Sequence, residues 1–296
     1  MTAIADTVPA DASVARPRLV TALLVGPAAV LFALLLVLPL IVVVVFSFGE
    51  RAPAGGYAPG FTLENYLNLP ARGKAFLTTL SLAPLGTLLA AIVAYPLAYY
   101  LAVIVQPRWR ILLLVLVIVP FWTSQLLRYY AWIMILGSSG IPSWLEWVGI
   151  SDARIINTPW AVLIGAVYGY LPLMVLPIYV SLEQLDKRLI EASQDLGASP
   201  WRTFLQVTLP LSLPGLATGS MLVFILMMGE FILPALLGGG KVFFIGNALV
   251  DLFLQSRNWP FGAAVSVAMV IVMLVTIIAY MRFMMRQAGV RRAALL

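Results

Sequence analysis

The fold class predicted by the sequence is all-α: an integral membrane protein of six transmembrane helices. Three observations predict it. Of 296 residues, 62% are hydrophobic and only 10% are charged, whereas soluble domains carry about 25% charged residues. Six apolar segments, at about 20–48, 76–105, 111–136, 158–181, 210–236 and 262–284, each exceed or approach the ~20 residues needed to cross a bilayer as a helix. The basic residues are also unevenly distributed. With the N-terminus in the cytoplasm, 11 fall on the cytoplasmic side (Arg16, Arg18, Arg108, Arg110, Lys187, Arg188, Arg202, Arg282, Arg286, Arg291 and Arg292), and 6 on the outer side (Arg51, Arg72, Lys74, Arg154, Lys241 and Arg257). This bias orients the bundle N-in and C-in. It also accounts for the net charge of +6 without nucleic acid as a partner.

Residues 1–18 are polar and Ala-rich and read as a disordered cytoplasmic tail. A single transmembrane domain follows over 19–285, then a short cytoplasmic tail over 286–296. The first span is far longer than the ~7–15-residue core of a signal peptide. Pro27, Pro39, Pro84, Pro96, Pro172, Pro177 and Pro234 lie in the spans, where neighbouring helices can re-satisfy the freed carbonyls. The loop around Pro107–Trp109 is so short that spans two and three must form an antiparallel hairpin. The outer segments are rich in Gly, Pro and aromatics and should form short helices on the outer surface, with Trp144, Trp147 and Trp259 at the interface. The chain has neither Cys nor His. That removes disulfides, His or Cys metal ligands, and Cys or Ser–His catalysis. No GxxxxGK[ST] phosphate loop is present; "GGGKVFF" at Gly238–Phe244 has the wrong spacing and reads as a glycine turn.

Between spans four and five lies a charged insert over 185–209. Leu185, Leu189, Ala192 and Leu196 recur at helical spacing. Gly197 suits the position just past a helix end, Ser199 an N-cap and Pro200 a first helical position. The insert therefore reads as helix, tight turn, helix, on the cytoplasmic side. Its sequence, "EASQDLGASPWRTFLQVTLPLSLPG", resembles the EAA loop of ABC importer permeases. Glu191-Ala192-Ser193 is followed after three residues by Gly197, and after nine more by Val207-x-Leu209-Pro210. Ser193 stands where the family pattern has Ala, and Val207 where it has Ile.

The resemblance implies a type I importer permease with a coupling helix that docks in a groove of a separate ATPase dimer. ATP and Mg would sit on that partner, and this chain would bind no cofactor. Glu191, Ala192, Ser193, Asp195, Gly197, Ala198 and Arg202 are the implied coupling residues. The small ones permit close approach, Glu191 pairs with a polar or basic group, and Asp195 and Arg202 make rim contacts. "PFWTSQLLRYYAW" at 120–132 and "GEFILPALLGG" at 229–239 look like segments of spermidine/putrescine permeases. The implied partners are a second homologous permease, a periplasmic or lipid-anchored substrate-binding protein, and the lipid of a bacterial inner membrane. Related permeases move opines, aminobutyrate, aminophosphonates or ferric ion.

Arg128 and Glu230 are the charges expected at membrane depth. Intramembrane ionisable groups default to function. Either the two form a structural ion pair or snorkel outward, or they line the substrate path with Trp122, Tyr129 and Phe231. A polyamine would favour Glu230 and aromatic faces; an anionic or zwitterionic solute would favour Arg128. Gly165-x3-Gly169 and Gly215-x3-Gly219 read as helix-packing motifs. An ion-gradient-driven transporter is the competing reading, but it ordinarily shows internal repeats and several midplane acids, and only Glu230 is available. An intramembrane enzyme lacks its catalytic residues here.

Overall fold

The computed structural model describes residues 15–149 and 154–293, with side chains over 23–149 and 154–282. Residues 1–14 of the tail expected over 1–18, part of the second outer segment (150–153) and residues 294–296 lie outside the described residues. Helix α1 (Ala15–Ser47) contains Pro27 and Pro39 and stays exposed along its apolar length. A two-residue ribbon follows, β1 (Glu50–Arg51) antiparallel to β2 (Tyr57–Ala58). Its turn uses Gly55 and Gly56 at φ +87 and +93, a region open to glycine.

Next come α2 (Glu64–Leu67), one tight turn at Leu69–Arg72, and α3 (Gly73–Tyr99). A wide turn, Tyr100–Ile104, closes α3, with Val105 N donating to Tyr100 O at 3.0 Å. Gln106 is then extended, as the residue before a proline should be, and α4 (Pro107–Trp122) starts on Pro107. Beyond it lie α5 (Gln125–Leu136), α6 (Ile141–Trp147), α7 (Pro159–Glu183), α8 (Lys187–Asp195) and α9 (Pro200–Thr203). A second wide turn, Phe204–Thr208, leads into α10 (Leu209–Met228). That widening sits where Pro210 lacks the N–H for Gln206 O and its ring crowds that carbonyl. The chain ends with α11 (Ile232–Leu237), α12 (Ile245–Val250) with its own wide turn at Asp251–Gln255, and α13 (Trp259–Ala293).

Among the described residues, five helices are long and apolar enough to cross a membrane, and α4 with α5 would make a sixth span bent by 91°. The straight third span expected over 111–136 is therefore corrected. Pro120 removes a ladder donor, Thr123 and Ser124 are extended, and Thr123 Oγ1 donates to Pro120 O at 2.7 Å. The fifth span is also shorter than the expected 210–236. Helix α10 stops at Met228 and a new helix begins at Ile232. At the ends, α1 begins before residue 19 and α13 runs past 285.

The core is the triangle of α3, α7 and α10. Ala83, Ala90, Ala94 and Ala98 make a fully buried small-residue seam on α3, the device by which helices approach closely in lipid. On α10, a Cβ at Gly215 would strike Pro177 O, and one at Gly219 would lie 2.9 Å from Met174 Sδ. Both glycines thus pack α10 on α7. Tyr95 Oη and Ser212 Oγ join α3 to α10 at 2.7 Å.

The two ends of the bundle are tied separately. At one, Arg110 lies 3.9 Å from Glu183, Tyr179 Oη donates to Glu183 Oε1 at 2.8 Å, and Tyr95 and Tyr99 meet Phe204 edge-on. At the other, Arg72 pairs with Asp251 at 2.8 Å and Arg51 donates to Ser256 O at 2.8 Å. The first end holds the segments assigned to the cytoplasm by charge, the second those assigned to the outside.

Candidate functional site

The charged insert folds as its spacing predicts. Asp186 caps α8, accepting from Arg188 N at 3.0 Å. Gly197 takes φ +82 just past its end, which a Cβ-bearing residue rarely adopts. Ser199 then caps α9 through Arg202 N at 3.4 Å. The side of the insert that turns inward is polar and small: Ser193 Oγ meets Thr203 Oγ1 at 3.0 Å, and Ala198 is half-buried. Ser193 is therefore spent on holding α8 to α9, rather than lying on the open face with Ala192. Of the expected apolar face, Leu185 packs against the core, and the rest points away from the protein. Leu189 and Ala192 are exposed, Leu196 is 89% exposed and Trp201 69%. Glu191, Asp195, Gly197 and Arg202 share that exposure, and among the described residues none of the three charged ones is in an ion pair. A half-turn of leucines and a tryptophan in water, rimmed by unpaired charges, is a surface shaped for a protein groove.

The second site lies where α10 breaks. Gly229 and Glu230 interrupt the helix, and Glu230 is only 7% exposed. Its Oε1 accepts from the backbone N–H groups of Phe231, Ile232 and Leu233 at 3.0, 3.0 and 3.2 Å. These are the otherwise orphaned donors that begin α11. Its Oε2 accepts from Tyr170 Oη and, at 3.5 Å, from Tyr129 Oη, which in turn accepts from Gln125 Nε2. Five donors from α5, α7 and α11 thus surround one carboxylate.

Of the expected path residues, Tyr129 and Glu230 come together, and Tyr129 is 1% exposed. Phe231 adjoins them through its backbone while its ring is partly open. Trp122 stands 83% exposed at the end of α4. Arg128 does not pair with Glu230; its guanidinium lies 5.8 Å from the Phe121 ring. The ion-pair alternative is thereby corrected: the tyrosines and backbone amides occupy the carboxylate. Tyr170 and Gln125 were missed by sequence reasoning. Tyr170 had a signal, a hydroxyl in the middle of span four; Gln125 became meaningful only with the bend before it.

Residues 86–288 match the family described as binding-protein-dependent transport system inner membrane component. Over 250 residues, 83% of this chain and 87% of the relative, the sequence is 43% identical to the spermidine/putrescine transport system permease protein PotB of Haemophilus influenzae. PotB of Escherichia coli is 42% identical over 83% of this chain and 90% of its own length. Among solved structures, the chain resembles a bacterial ABC transporter involved in the import of the acidic polysaccharide alginate. The TM-score is 0.73, the identity 19%, and the coverage 92% of this chain and 96% of that one. That likeness bears on the fold.

Proposed function

The chain belongs to the binding-protein-dependent transport system inner membrane components, and from that membership we propose that it carries polyamines, spermidine or putrescine, as one of two permeases in its importer. It is a multi-pass inner-membrane permease subunit of an ABC importer. The rest of the machine is inferred. An ATPase dimer hydrolyses ATP with Mg, a second homologous permease completes the pathway, and an external binding protein delivers the solute. The exposed face of α8 and α9 is the observation that carries the coupling reading. A permease that hydrolyses nothing needs a rigid, capped element through which a partner can push, and Leu196 and Trp201 give that partner an apolar hold.

Substrate choice rests on the likeness to the two PotB proteins. The geometry supports a weak cation passage rather than a tight site. Glu230 is held by its five donors, so a passing ammonium meets chiefly the open aromatic faces of Trp122 and Phe231, each worth about 0.5–2 kcal/mol to a cation. Weak contact suits a path that must release what it accepts. The test is reconstitution of the purified complex in liposomes with labelled spermidine. ATP-dependent uptake that competes with putrescine is expected. Uptake that continues without the ATPase and collapses with the proton gradient overturns the reading in favour of a secondary transporter.

A further inference from the structure

Arg128 is left incomplete within the chain. Its Nε is buried with no hydrogen-bond partner, and among the described residues no carboxylate pairs with its guanidinium. The one nearby acid, Glu230, is already filled. The position aggravates this. Arg128 is the fourth residue of α5, where the helix dipole repels a cation. The 16 residues of α4 rise about 24 Å from the opposite end before the bend, which places Arg128 within the hydrocarbon thickness. An arginine there costs about 2.5–3.5 kcal/mol on insertion scales unless it faces protein or water. Around it, Trp122, Leu126, Leu127 and Tyr130 are exposed. An apolar face that holds a half-buried cation with an unpartnered Nε is poorly suited to lipid and well suited to a protein carrying the opposite charge.

We propose that the α4–α5 elbow is a subunit interface, and that Arg128 is completed there by an aspartate or glutamate carboxylate on a membrane segment of the second permease. This rests on the two-permease reading above. A guanidinium met by a carboxylate in a fork makes two parallel charge-assisted bonds and fixes the register of the two subunits. It also removes the positive charge that would oppose a polyamine in the pathway between them.

The test uses the full chain, tagged and co-expressed with the other subunits of its importer. A photo-crosslinker at Leu127, exposed beside Arg128, should join a span of the second permease, and the joined peptide should contain or adjoin an acid. Arg128→Glu should lower co-purification of that permease about tenfold or more, and acid→Arg at the mapped partner position should restore it. Arg128→Leu keeps the chain insertable and should also lower assembly, with the amount of chain in the membrane unchanged. Normal assembly of both Arg128 variants, while the wild type assembles, overturns the inference alone. So does loss of a bound anionic lipid in place of loss of the partner. If the wild type recovers no second permease, the two-permease reading itself falls.

Discussion

Replacing Glu230 exposes how the broken fifth span is held. Glu230→Gln keeps an oxygen for the N–H groups of Phe231, Ile232 and Leu233, but turns an amide nitrogen toward Tyr170 and Tyr129. One close and one long charge-assisted bond are lost. At about 1.5–3 kcal/mol for a hydrogen bond to a charged group, and less for the 3.5 Å contact, the cost is about 2–3 kcal/mol. Glu230→Ala also uncovers three backbone donors in a water-poor site and leaves a void, which raises the cost to about 3–5 kcal/mol. Tyr170→Phe removes a single donor, and four remain around the carboxylate, so about 1–2 kcal/mol is expected. Thermal unfolding of the detergent-purified complex should rank the melting points wild type, Tyr170→Phe, Glu230→Gln, Glu230→Ala, from high to low. At about 2–4 °C per kcal/mol for a chain of this size, Glu230→Gln should fall by about 4–12 °C. Glu230→Ala melting within about 1 °C of the wild type, or Tyr170→Phe proving worse than Glu230→Ala, would refute the socket.

On the insert, Glu191→Ala combined with Leu196→Asp should abolish ATP-driven uptake while the melting point stays unchanged, because both side chains are exposed; uptake near wild type counts against the docking face. Gly215→Leu should cost about 3 kcal/mol or more, since its side chain would enter the Pro177 backbone, and the purified yield should drop with it. The Arg72–Asp251 pair is about a quarter to a third exposed, so a double-mutant cycle on the melting point should return a coupling of about 1 kcal/mol or less, weakening in salt. In Ser199→Ala the N-cap bond to Arg202 N is gone, so amide exchange should quicken in α9 by about a factor of five, corresponding to ~1 kcal/mol.

Hydrophobic length was enough to find the long apolar helices, because in lipid a helix must satisfy its backbone internally and so announces itself by composition. The insert was legible for a different reason. Asp186, Gly197, Ser199 and Pro200 act locally, through their own caps and turns, and need no tertiary partner to do so. The two breaks were not legible. Pro120 resembles other span prolines such as Pro172 and Pro177, which continue their helix. What distinguishes the first break is the Thr123–Ser124 pair and a receptive neighbour on α11. Glu230 likewise reads as a lone charge at a span end; its five donors come from elements 60 to 101 residues away as well as from its own next turn. Ser193 was named as a coupling residue by its place in the motif; its direction is set by Thr203, beyond the turn.

The exposed first helix bears on how the protein is made. Its span has a mean hydropathy of 3.3 and none of it is buried, so it can leave the insertion machinery alone and wait in the bilayer. The bent α4–α5 pair cannot: it carries Arg128, and its Tyr129 finds an acceptor only on Glu230, a hundred residues later in the chain. During synthesis the elbow must remain beside the translocation channel, or at the membrane surface, until α7 and then α10 and α11 emerge to receive it. A ribosome stalled before residue 230 should therefore leave α1 integrated and the elbow still extractable.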